Sequence, residues 1–85
     1  MTPAEIARLL GTIRGFDNRI GNPDRYIVDA WHDVAQRRAW TYQAAETAVR
    51  DYYADTRRPP LIMPGDITQH IRGQRNKPPA WWQAD

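Results

Sequence analysis

Pro3, Pro23 and Pro64 each stand at the head of an apolar stripe with helical spacing, and no other feature constrains the fold as strongly. Inside a helix, proline removes a hydrogen bond and collides with the preceding turn. At the first helical position its missing N–H costs nothing. The three prolines therefore mark helix starts. Thr2-Pro3-Ala4-Glu5 adds a capping hydroxyl and a glutamate three positions later, the reciprocal pattern of a capping box. Ile6, Leu9, Leu10 and Ile13 then recur on one helical face, with Gly11 a weak point and Gly15 a stop.

The spacing predicts three further helices. Asn22 caps the second, with Pro23 in its first position and Ile27, Trp31 and Val34 as its stripe. Ala30 and Ala35 permit close approach, and Arg37 or Arg38 ends the helix where cations suit its negative pole. Thr41 caps a third helix, whose Ala45, Val49 and Tyr52 fall on one stripe. Pro64 and Asp66 open a short fourth helix that docks by Ile67 and Ile71 and stops near Gly73. Phe16 to Gly21 reads as a connector, with Asp17-Asn18 as turn formers and Phe16 anchored inward. Arg57-Arg58-Pro59-Pro60 favours extended backbone.

No stretch alternates with the period of a strand. The expected fold is all-α: a compact bundle of three longer helices, a short C-terminal helix and an extended tail. Residues 1–76 form the single helical domain and residues 77–85 the tail, which carries proline and tryptophan. At 85 residues, with no cysteine for a disulfide or a thiolate metal site, stability must come from helix packing and aromatic burial.

Composition also narrows the chemistry. The chain has no serine and no cysteine nucleophile, and no Gly-rich phosphate loop. His32 and His70 lack metal-ligand spacing, and adjacent His32 and Asp33 point about 100° apart on a helix. These features predict a non-enzymatic protein without a cofactor. No apolar run approaches the roughly 20 residues of a membrane span, and no signal-peptide pattern opens the chain. A cytoplasmic protein is expected.

Two segments are candidate contact surfaces. The net charge is only +2, yet five cations between Arg57 and Lys77 oppose Asp66 alone. Arg57, Arg58, Arg72, Arg75 and Lys77 can each bind phosphate, or they can simply solvate a basic end. The tyrosines at 52 and 53 can stack on bases, although helical spacing puts at least one in the core. Pro78-Pro79-Ala80-Trp81-Trp82 combines restricted backbone with two residues favoured as interface anchors. Trp81 and Trp82 can equally fold back onto the domain and add to its core.

One family resembles this order of motifs. The residues that carry the likeness are Thr2-Pro3-Ala4-Glu5-Ile6-Ala7-Arg8-Leu9-Leu10, Phe16-Asp17-Asn18-Arg19 and Asp29-Ala30-Trp31-His32-Asp33-Val34. Thr41-Tyr42-Gln43-Ala44-Ala45, Ala48-Val49-Arg50-Asp51-Tyr52-Tyr53, Ile62-Met63-Pro64-Gly65-Asp66-Ile67 and His70-Ile71-Arg72 complete it. Together they resemble the N-terminal domain of phage replicative helicase loader or inhibitor proteins. The resemblance spans about residues 2–73 and implies a compact helical domain followed by a C-terminal segment that engages the helicase. It implies a phage or prophage adaptor without ATPase machinery, acting on the replicative helicase or another replication protein inside a bacterial host. Pro78, Pro79, Trp81 and Trp82 would then make the partner contact. Two alternatives stand beside it: a small DNA-binding regulator using the basic C-terminal segment, and a phage inhibitor of another host protein.

Overall fold

In the computed structural model, which describes residues 1–55 and 59–75, the chain is all-α. Four helices follow in order: α1 Pro3–Phe16, α2 Arg25–Arg37, α3 Tyr42–Asp55 and α4 Pro64–Arg75, with a 3₁₀ turn at Asn18–Ile20 between α1 and α2. The three longer helices and the fourth match the expected order.

The start of α1 is held as its sequence predicts. Thr2 Oγ1 accepts the Glu5 N–H at 3.2 Å, and Glu5 Oε1 accepts the Thr2 N–H at 2.8 Å. Ile6, Leu9, Leu10 and Ile13 are completely buried. At the start of α3, Thr41 Oγ1 accepts the Ala44 N–H at 3.2 Å.

The start of α2 differs from expectation. Asp24, not Asn22, is the cap, and its Oδ1 accepts the Ile27 N–H at 2.9 Å. Pro23 therefore precedes the cap. A carboxylate caps as well as an amide and adds favourable charge at the positive helix pole. Neither Gly15 nor Gly73 stops its helix: α1 runs on to Phe16 and α4 to Arg75. Both glycines face open space, so their cost is the modest one of propensity.

The end of α2 is a Schellman closure. The Ala39 N–H donates to Gln36 O at 3.3 Å and the Trp40 N–H to Ala35 O at 2.9 Å. Ala39 stands at φ 53°, the left-handed position that glycine usually fills. The reversal drives Trp40 into the core, where it is 3% exposed and meets Trp31 edge-on at 6.4 Å.

Around these two indoles the core gathers the α1 stripe, Ala35, Ala45, Ala48, Val49, Ile62, Ile67 and Ile71. Ala30 is exposed, so close approach on α2 falls to Ala35 alone. Ile27 and Val34 are half-buried at the core's edge. Helix α1 packs on α2 and α3, while α4 packs on α3 and α2.

Candidate functional site

Two polar arrangements stand out: an internal clamp that positions α4, and an arginine-lined groove that α4 then completes. The clamp begins at Asp17, which is 8% exposed. Its Oδ1 accepts Arg19 N at 3.1 Å and Arg19 Nε at 2.8 Å, and its Oδ2 accepts Arg19 Nη2 at 2.5 Å. The Tyr53 hydroxyl donates to Oδ2 at 3.1 Å. Arg19's donated hydrogen bonds hold the Asp17 carboxyl far below the usual carboxylate range, against the opposing effect of burial. The Arg19 guanidinium is raised in turn by the carboxylate it binds.

This network reaches the segment that leads into α4. Arg19 Nη2 donates to Pro59 O at 2.7 Å, Tyr52 OH donates to Pro60 O at 2.6 Å, and the Ile62 N–H donates to the Tyr53 hydroxyl at 3.1 Å. Burial raises both tyrosines above their ordinary value. Their rings are half-buried and their hydroxyls are committed to backbone and carboxylate.

Phe16 does not anchor inward: it is 51% exposed, with one face stacked on Tyr53 at 5.6 Å. Asp17, not Phe16, is the buried residue at the end of α1, because its carboxylate finds donors there. Asp17 is thus more than a turn former. Tyr52 meets Tyr53 edge-on at 5.1 Å and His70 edge-on at 5.9 Å, which places His70 beside the Ile67–Ile71 stripe. His32, also half-buried, donates from Nε2 to Met1 O at 3.1 Å.

The groove lies between the end of α2 and the outer face of α4. One hollow of about 440 Å³ is lined by Arg37, Arg38 and Arg72 with Val34, Thr68 and Gln69. A second, of about 270 Å³, shares Arg37, Arg38, Thr68 and Arg72 and reaches Ala39, Trp40 and Ile71. The shared residues make the two hollows one groove. Trp40 Nε1 donates to Thr68 Oγ1 at 3.1 Å, and Thr68 Oγ1 donates to Pro64 O at 3.3 Å, so the floor links both walls. Arg37 pairs with Asp33 at 2.8 Å one turn below it. Arg38 and Arg72 are exposed and make no ion pair among the described residues. Asp66 is the nearest acidic residue in α4's sequence, and its Oδ2 accepts the Met63 N–H at 2.9 Å.

Of the cations singled out in the sequence, Arg72 lines this groove and Arg75 occupies the last turn of α4. Arg57, Arg58, Lys77, Pro78, Pro79, Trp81 and Trp82 lie outside the described residues. Arg72's companions are Arg37 and Arg38, whose place in the sequence suggests only the end of α2. Adjacency in the chain gives no sign that α4 returns beside them. Helix α3 offers no comparable patch: Gln43 and Thr47 are exposed, but Arg50 is paired with Glu46 at 3.0 Å.

Comparison with known proteins returns no matching family model, no matching curated protein and no matching solved structure.

Proposed function

We propose that this chain is a non-enzymatic phage or prophage adaptor that binds a DNA-replication component, the replicative helicase, and regulates its loading or activity. The reading rests on the motif order of residues 2–73. The observation that supports it is the firm seating of α4, the helix that precedes the Pro78–Trp82 contact segment in the chain. Ile67 and Ile71 bury its inner face, Thr68 is bonded to Trp40, and the Asp17–Arg19–Tyr53 clamp holds the segment before it. A segment attached to a fixed base binds with less orientational loss than one attached to a loose helix. Trp81 and Trp82 are the proposed anchors, with the cations around them assisting encounter.

A pull-down of purified replicative helicase with the intact chain, compared with a chain ending at Lys77, tests this. Retention by the intact chain and loss from the truncated one is the expected result. Equal retention would remove the tail from the mechanism, and absence of retention by both would end the helicase reading.

A further inference from the structure

We propose that the α2–α4 groove is a second binding site, one that takes the phosphodiester backbone of a nucleic acid. Arg37, Arg38 and Arg72 come from two helices and converge on one concave surface, joined by the side chains of Thr68 and Gln69. Arginine, threonine and glutamine are the side-chain types that contact nucleic-acid phosphates, and the guanidinium fork matches phosphate oxygens two at a time.

The nature of the floor separates this ligand from an acidic protein segment. Protein partners take their energy chiefly from large side chains buried in open apolar pockets. In this groove Trp40 is 3% and Ile71 5% exposed, so their apolar surface is already spent on the core. Beside the small, half-buried Val34 and Pro64, what remains is donor groups and positive charge. Asp33 offsets Arg37, and the positive charge left in the groove is that of Arg38 and Arg72, which make no ion pair among the described residues. The contact proposed is to phosphate oxygens, which carry no sequence information. The proposal needs no helicase, and it stands or falls separately from the adaptor reading.

The test is fluorescence anisotropy of the full chain with labelled oligothymidylate and labelled duplex DNA, each of about twelve nucleotides per strand, within the range of small single-strand sites. Binding of either oligomer that weakens with salt is expected, and the tighter of the two identifies the form of nucleic acid the groove prefers. For the single strand, Arg38→Gln with Arg72→Gln should flatten the slope of log affinity against log salt by about 1.4, or about 0.7 for each phosphate no longer neutralised. Arg14→Gln with Arg25→Gln removes equal charge from α1 and from the start of α2, and should leave the slope unchanged. Circular dichroism of both double variants confirms that the helices are retained. Failure to bind either oligomer would overturn the proposal. So would an unchanged slope in the groove variant, or an equal loss in the control. Polyglutamate of matched charge binding as tightly as the oligomers would also overturn it, in favour of an acidic protein segment.

Discussion

The Asp17 carboxylate and the Tyr53 hydroxyl, separated by 36 positions in the chain, meet at 3.1 Å. The same hydroxyl accepts the N–H of Ile62, a residue with no exposed surface. Tyr53 thereby joins the end of α1 to the approach of α4. Removing its oxygen leaves a buried N–H without a partner, at a cost of about 1–3 kcal/mol. Tyr53→Phe should accordingly lower the melting temperature by roughly 4–8 °C per kcal/mol in a domain of this size. Tyr52→Phe removes a bond to the exposed Pro60 and should cost less, about 1 kcal/mol or below. Thermal unfolding followed by circular dichroism distinguishes them, and equal losses would contradict the linking role of Tyr53.

Acid should weaken the fold through Asp17. Its carboxyl is depressed in the folded chain relative to the ordinary value of 3.8, mainly by Arg19. A depressed folded value means that the unfolded chain takes up the proton first as pH falls. The stabilisation is complete above the ordinary value and is lost as pH drops through it toward the folded value. Urea unfolding between about pH 6 and pH 2 should show a steeper decline for the natural chain than for Asp17→Asn, with the two curves converging in acid. Parallel curves would exclude Asp17 as the source.

Ala39 occupies a left-handed backbone position that costs a residue with a Cβ about 1–2 kcal/mol. Glycine removes that strain and loses part of the gain, about 0.4–1 kcal/mol, to the greater freedom of the unfolded chain. Ala39→Gly should therefore stabilise the protein by roughly 0.8 kcal/mol, the difference between the midpoints of those two effects. Ala44→Gly, within α3, should destabilise by about 1 kcal/mol. Opposite shifts in the urea midpoint are the expected signature.

The identity of the α2 cap can be decided in the same way. Asp24→Ala should cost about 1 kcal/mol, whereas Asn22→Ala, which removes no capping bond, should stay within about 0.5 kcal/mol. The reverse order would restore Asn22 as the cap.

Much of the fold is legible along the chain because it is written in local patterns. The Thr2–Glu5 box, the Ile6 to Ile13 stripe, the Thr41 cap and the Ile67–Ile71 pair each depend on neighbours within two helical turns. Trp40 is not legible in this way, since its burial follows from a Schellman closure with alanine where glycine is the usual signal. The same holds for Asp17, which reads locally as a turn former and whose partner Tyr53 arrives from a distant helix. The groove needs the bundle itself: Arg37 and Arg38 meet Arg72 only because α4 returns across α2. Local chemistry announces helices, whereas the company a surface residue keeps is a property of topology.

Helix α4 rests on α3 and α2 and, among the described residues, does not pack on α1. Such a peripheral element, although seated by Ile67 and Ile71, is where a sub-global opening of the domain would begin. Lifting it would carry Arg72 away from Arg37 and Arg38. Any ligand that bridges the two walls therefore acts as a latch, because it favours the docked arrangement by its own binding free energy. Breathing of the domain and occupancy of its surface are thus two readings of a single equilibrium.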